Sequence, residues 1–140
     1  MITDIPDWPA AIKEAREIIL GTYSKKTDSG NFDVQYINDP KDFQEAAEIL
    51  GRALTLLLIS KNQKYGKENI EGSVKFGIEP KKGVALRMND KFERLKNGLQ
   101  GMDLGKEGFV DSFGDIVGYA AIGLLLEYGW YKLPISEEKK

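Results

Sequence analysis

The stretch KEGFVDSFGDIVGYAAIGLLLEY, residues 106–128, is predicted to form one long helix. Its 23 residues make 22 helical steps and would span roughly 33 Å at ~1.5 Å per residue. Its apolar residues recur at helical spacing, which predicts a core face made by Phe109, Phe113, Ile116, Val117, Ala120 and Leu124. From Val117 onward the helix is apolar on all sides, so its second half is expected to be buried.

Three acidic residues, Glu107, Asp111 and Asp115, recur every fourth position on the other side of this helix. Their line continues into apolar positions, so Asp115 is expected at the edge of the core. A carboxylate there is costly unless it is paired, hydrogen-bonded or bound to a metal. One interpretation is a divalent-metal site with oxygen ligands one turn apart. The other is that the first two acids favour the helix dipole and Asp115 pairs with a Lys or Arg.

Composition limits the chemistry that this chain can perform. Its 140 residues suffice for one domain with a core, and 41% hydrophobic and 30% charged residues indicate a globular protein. With no Cys and no His, thiolate nucleophiles, Ser-His-Asp triads and the usual zinc sites are excluded. Acid–base or metal chemistry must use Asp, Glu, Lys or Tyr, and Mg²⁺ or Mn²⁺ is the metal class that fits.

The charge balance and the N-terminal residues indicate which partners are not expected and where the protein is located. The net charge of −2 argues against stable nucleic-acid binding. The opening MITDIPDWPAA has no apolar signal region, and the apolar run from Ile116 to Leu126 is too short to span a bilayer. We therefore expect a cytoplasmic protein without a membrane partner.

Three further helices are predicted from N-cap residues and from stripes of apolar residues at helical spacing. The first begins at Asp7 and runs to about Ser24, with the stripe Trp8, Ile12, Ala15 and Ile19. The second begins at Asp39-Pro40 and runs to about Lys64, with the stripe Phe43, Ala47, Leu50, Leu54, Leu57 and Leu58. The third runs from Gly83 to about Leu99, with the stripe Val84, Met88, Phe92, Leu95 and Leu99.

The segments between these helices are predicted to be loops. Residues 27–38 are expected to be a loop with at most a short extended piece at 32–37 and no sheet. The glycine-containing stretch 66–83 is long enough to be functional or mobile, and the tail 133–140 is expected to be frayed. The whole chain reads as a single all-α domain, a bundle of four to five helices. The chain has more apolar residues than the core of a monomer of this size needs, so a homodimer or higher homo-oligomer is expected.

Three more polar patches are candidates for a site. Glu45 and Glu48 lie one turn apart and are either metal ligands or solvated. Lys61, Asn62 and Tyr65, before Gly66, fit either a helix end or a turn that contacts a base or phosphate. Arg87, Lys91 and Arg94 form a basic edge, which is a solvated face, a set of partners for the acids or a phosphate clamp. Carboxylates for a cation, basic groups for phosphates and an Asn/Tyr turn for a base together describe a nucleotide–metal site.

The order of these motifs resembles phage-associated nucleotide-modification-type domains related to the MazG-like all-α nucleoside triphosphate pyrophosphohydrolases. The resemblance rests on KNxxYG, RxxDKxxR and ExxxDxxxDxxxYA, here Lys61, Asn62, Tyr65, Gly66, Arg87, Asp90, Lys91, Arg94, Glu107, Asp111, Asp115, Tyr119 and Ala120. It covers residues 39–128 and leaves the first 38 outside.

The resemblance implies a helical oligomer that binds Mg²⁺ and cleaves a nucleotide between its α and β phosphates. The implied metal ligands are Glu45, Glu48, Glu107, Asp111 and Asp115, of which Glu48, Asp111 and Asp115 would be catalytic. The implied nucleotide contacts are Lys61, Asn62, Tyr65, Arg87, Lys91 and Arg94. The family's second acidic pair is spaced ExxD, whereas this chain has steps of four. A non-catalytic phage protein that sequesters a defence-signalling nucleotide is therefore the second hypothesis, and an interaction module is the third.

Overall fold

The chain is mostly helical in the computed structural model, which describes residues 4–28, 30, 32–65, 70, 77–105 and 108–136. The described elements are α1 (Trp8–Leu20), β1 (Thr22–Lys26), β2 (Asp33–Ile37), α2 (Phe43–Tyr65), α3 (Pro80–Leu99) and α4 (Gly108–Glu127). This architecture is compatible with the predicted all-α bundle, to which it adds one small sheet. The predicted stop at Gly66 and most of the predicted loop 66–83 lie outside the described residues, as does the tail beyond residue 136.

The first helix begins where its cap predicts and ends earlier than expected. The Asp7 carboxylate accepts a 2.9 Å hydrogen bond from the Ala10 amide, and a proline occupies the first turn. The helix ends at Leu20 because Gly21 adopts a φ of 74°, a conformation that favours glycine. The predicted extension to Ser24 is therefore wrong, since residues 22–26 form β1.

The segment predicted as a loop contributes one strand of an antiparallel hairpin. Tyr23 of β1 lies opposite Tyr36 of β2, and their rings stack with centroids 5.5 Å apart. The Arg16 guanidinium donates to the carbonyl of Ile37 and to the Asp39 carboxylate, which ties the hairpin to α1. The expectation of no sheet was wrong because this hairpin is exposed and lacks a buried face that would impose an alternating pattern on its sequence.

Helix α2 packs on α1 with a face one step away from the predicted stripe. It begins at Phe43, where the Asp42 carboxylate accepts from the Glu45 amide. The shared core consists of Ile5, Trp8, Ala11, Ala15, Ile49, Ala53, Leu56 and Leu57. Phe43 and Leu50 of the predicted stripe are exposed instead, because the buried face of α2 is the one that small Ala53 brings close to α1.

Helices α3 and α4 lie against each other, and the chain after α4 folds back onto them. Val84 and Tyr131 are buried with Ile70 in a second core, whereas Phe92 and Leu99 of the predicted α3 stripe are exposed. The Lys81 ammonium and the Glu127 carboxylate, 2.7 Å apart, join the start of α3 to the end of α4. The hydrogen bond and charge of Glu127 raise the pKa of Lys81.

The predicted core face of α4 is wrong, because most of that face is exposed in this chain. Phe109, Phe113, Val117 and Leu124 keep 41%, 59%, 38% and 62% of their area exposed. The face turned inward instead carries small residues, Gly108, Ser112 and Gly114, which let neighbouring groups approach the helix closely. The line of Asp111 and Asp115 therefore faces the interior, as predicted.

Candidate functional site

A cavity of about 520 Å³ lies against the inner face of α4. This volume falls within the range of roughly 300–1,000 Å³ that is usual for small-molecule sites. Residues from α1, α2, α3 and α4 contribute to its wall, together with the segment before α1 and the one after α4. The lining residues are Pro6, Asp7, Trp8, Leu54, Leu57, Leu58, Lys61, Asn62, Ile70, Lys91, Arg94, Asp111, Ser112, Gly114, Asp115, Gly118, Tyr119, Ile122 and Tyr131.

Six of the candidate site residues predicted from the sequence line this one cavity. They are Lys61 and Asn62 of α2, Lys91 and Arg94 of α3, and Asp111 and Asp115 of α4. Basic groups of α2 and α3 thus come together with the carboxylates of α4. The remaining lining is largely apolar and aromatic.

Lys91 and Asp115 form an ion pair across α3 and α4. The Lys91 ammonium lies 2.9 Å from the Asp115 carboxylate, and their side chains are 32% and 39% exposed. At this exposure water screens the attraction, so the pair contributes on the order of 1 kcal/mol or less. Of the two interpretations of Asp115 that the sequence left open, the described structure shows the pairing with a basic residue.

Arg94 and Arg87 occupy different positions beside Lys91. Arg94 donates a 3.0 Å hydrogen bond to the Leu104 carbonyl and so braces the connection between α3 and α4. Arg87 lines a second, more open cavity of about 830 Å³, which shares Lys91, Arg94 and Tyr119 with the first. The predicted basic edge is therefore divided between two adjoining cavities.

Glu45 and Glu48 lie away from the cavity described above. The Glu45 carboxylate accepts a 2.8 Å hydrogen bond from the Lys41 amide, which makes it part of the helix start. Glu48 is exposed and precedes Leu54, the first α2 residue in the cavity wall, by about 9 Å along the helix axis. Glu107 and the side chain of Tyr65 fall outside the described residues.

The two carboxylates of α4 supply oxygen atoms, the ligand type that a hard divalent cation prefers. Within the described part of the chain no three acidic residues form a cluster able to hold a metal. Mg²⁺, however, is commonly held by one or two carboxylates together with phosphates and waters. Asp111 and Asp115 lie one turn apart on the cavity wall, and Asp115 would exchange Lys91 for the cation.

The N-terminal segment contributes to the site although it lies outside the family resemblance. Trp8 is 6% exposed, and its indole ring packs against the backbone of α4 at Gly114. A methyl group on Gly114 would collide with three atoms of that ring. Sequence spacing gave no signal for this contact, because a tryptophan at a helix start can pack into a core of any composition.

Ser112 is a buried residue of the cavity wall that sequence reasoning also missed. It is 1% exposed, and among the described residues its hydroxyl has no hydrogen-bond partner. Such a buried, unpaired hydroxyl costs about 1–3 kcal/mol. A serine between two helical aspartates is ordinary in sequence, so only the packing identifies it.

No family model, curated protein or solved structure matches this chain. The resemblance to the MazG-like group therefore stays a prediction, and the functional argument rests on the cavity.

Proposed function

We propose that this chain binds a nucleotide in the cavity beside α4 and acts as a metal-dependent nucleotide pyrophosphohydrolase on nucleoside triphosphates or related nucleotides. The observation that carries the proposal is the meeting of Lys91 and Arg94 with Asp111 and Asp115 in one cavity of about 520 Å³. Basic groups are needed to hold phosphates, and carboxylates are needed to hold the cation that accompanies them.

The basic residues of the cavity are assigned to the phosphates. Arg94 can offer two parallel N–H donors to a phosphate, while Lys61 and Lys91 act as point charges. Because Lys91 lines the same cavity as its partner Asp115, an incoming phosphate competes with Asp115 for the ammonium. Asn62 carries both a donor and an acceptor, so it suits a base edge or a sugar.

The carboxylates are assigned to the cation. Asp111 and Asp115 would hold Mg²⁺ or Mn²⁺, which when bound would activate a water and neutralise phosphate charge. The apolar and aromatic walls, including Trp8 and Tyr131, limit the access of bulk water, and the partly buried Tyr119 offers a flat surface for a base.

A non-catalytic nucleotide binder is the second candidate, and the Lys91–Asp115 pair favours it. In that case the chain's own ammonium serves as the cation for Asp115, and Arg94 and Lys61 hold phosphates without a metal. Such a protein would sequester its nucleotide, for instance a defence signal in an infected cell. The two candidates share the cavity and differ in whether the ligand is cleaved.

Substitution of Asp115 in α4, with substitution of Glu48 in α2 as the matched control, tests the proposal. We expect Asp115→Asn to abolish nucleotide cleavage in Mg²⁺ and to lower the melting temperature by no more than about 4 °C, since the ion pair is partly exposed and weak. We expect Glu48→Gln to retain cleavage, because Glu48 does not line the cavity. The measurement is chromatography of the products after incubation with each nucleoside triphosphate, with EDTA as the control.

The outcomes of this experiment separate the candidates. Cleavage that survives Asp115→Asn, or that disappears in Glu48→Gln, would contradict the assignment of the site to this cavity. Ligand that binds in EDTA and is recovered intact after denaturation would favour the sequestering protein.

A further inference from the structure

The outer face of α4 carries an unbroken apolar stripe, which we call the outer seam. It consists of Val110, Phe113, Val117, Ala120 and Leu124, and all five residues are exposed. A surface helix of a monomer normally turns charged and polar residues to solvent. On α4 the aspartates face inward, beside apolar residues such as Ile122 that pack on the second core. The outward face is apolar as well, where a monomer would be expected to be polar.

The residues of the outer seam are spaced as in a helix that pairs with another helix. Its residues follow one another at steps of three, four, three and four, which is the a/d pattern of a coiled coil. In an antiparallel pair centred on Val117, Phe113 of one helix would lie beside the small Ala120 of the other, and Val110 beside Leu124. The seam is therefore complementary to itself, as an interface related by a two-fold axis requires.

The exposed surface continues beyond both ends of the seam. Phe109 precedes it, and Tyr128, 65% exposed, follows it with its ring stacked on Trp130 at 4.6 Å. These aromatic residues with Phe113 are about half exposed and together offer roughly 400 Å² per copy. With the aliphatic residues added, the surface approaches the ~800 Å² per partner of a standard interface.

Charge argues against a lipid as the occupant. By length and composition alone α4 could cross a membrane, with a mean hydropathy of 1.5 over its best 18-residue window. Crossing would, however, place Asp111 and Asp115 at membrane depth, which is costly. Gly108–Glu127 also contains no Lys or Arg, the residues by which a helix on a membrane surface binds anionic lipids.

We propose that the outer seam is a dimer interface, filled by the outer seam of a second copy of this chain. The proposal does not depend on the proposed function. Since the cavity lies against the inner face of α4, each copy would keep a complete site within its own chain. The two sites would lie on opposite sides of the paired helices.

Sedimentation velocity of the full chain over a range of concentrations tests the proposal. The wild type is expected at twice the chain mass of 15.7 kDa. Phe113→Glu is expected to sediment as a monomer with unchanged helical circular dichroism, its dimer dissociation constant raised on the order of 100-fold or more by two buried charges. The matched control is Phe43→Glu, which alters an 83% exposed phenylalanine of α2 outside the seam and should remain dimeric.

Cross-linking provides a second readout should Phe113→Glu fail to fold. The chain has no cysteine, so Val117→Cys would place the only thiol of each copy at the centre of the seam. Oxidation is expected to give a covalent dimer for Val117→Cys and none for Phe43→Cys. A monomeric wild type, a Phe113→Glu dimer as tight as the wild type, or equal cross-linking of both cysteine variants would overturn the proposal. So would a monomer that co-sediments with phosphatidylglycerol vesicles through this seam.

Discussion

At the scale of single residues, Lys91 and Asp115 connect the basic and acidic halves of the cavity. Both side chains of this ion pair are partly exposed and the pair is weak, so a phosphate needs little free energy to draw Lys91 away from its partner. Both residues were among the candidates read from the sequence, because acidic and basic residues at helical spacing are visible there. Which acid pairs with which base was not, since that depends on how α3 lies against α4.

Two buried serines allow a matched test of the cavity wall. Ser112→Ala is expected to leave the free energy of unfolding unchanged or to raise it by up to about 1 kcal/mol, because it removes an unpaired hydroxyl. Ser60→Ala is expected to lower it by about 1–2 kcal/mol, because that hydroxyl accepts from the Ile5 amide and contacts Asp4. Urea unfolding of both variants measures the difference. A loss at Ser112 equal to that at Ser60 would show that its hydroxyl is satisfied in solution.

At the scale of the element, the length of α4 and the direction of its acidic line were predicted well, whereas its predicted core face was wrong. The sequence places it at residues 106–128, and the structure at Gly108–Glu127. Hydrophobic periodicity locates an apolar face but does not say whether the same chain or another one covers it. The acidic line was informative because it continues along the helix into Gly118 and Ile122, which line the cavity with Asp111 and Asp115. This inner face is the same whether or not a second chain covers the outer face.

Alanine substitutions at two glycines of α4 distinguish the effect of close packing from that of helix propensity. Gly114→Ala is expected to destabilise the protein by about 1–3 kcal/mol, because the new methyl group collides with the Trp8 ring. Gly123→Ala, where an added Cβ meets open space, is expected to stabilise it by up to about 1 kcal/mol. Thermal unfolding of the two variants decides the matter. If Gly114→Ala were as stable as Gly123→Ala, Trp8 would not pack on α4.

At the scale of the whole molecule, the sequence predicted a mostly helical chain and the charged and amide residues of the cavity wall except Asp7. The hairpin was not predictable, because Arg16 and Asn38 hold it to α1 by long-range hydrogen bonds that leave no local pattern. The contribution of Asp7 and Trp8 to the cavity was missed for the same reason. Convergence of Lys61, Lys91 and Asp115 was expected from the resemblance, and the packing of α2, α3 and α4 brings them to one cavity.

The central claim is that this cavity binds a nucleotide through its phosphates. Its most direct test is the thermal unfolding of the wild type and Lys91→Met against nucleoside mono-, di- and triphosphates and cyclic dinucleotides, with Mg²⁺ or EDTA. A ligand at 100 times its dissociation constant adds ~2.7 kcal/mol, which raises the melting temperature by several degrees. We expect this rise for at least one nucleotide in the wild type and a clearly smaller one in Lys91→Met. No rise with any nucleotide, or an equal rise in both proteins, would contradict the account.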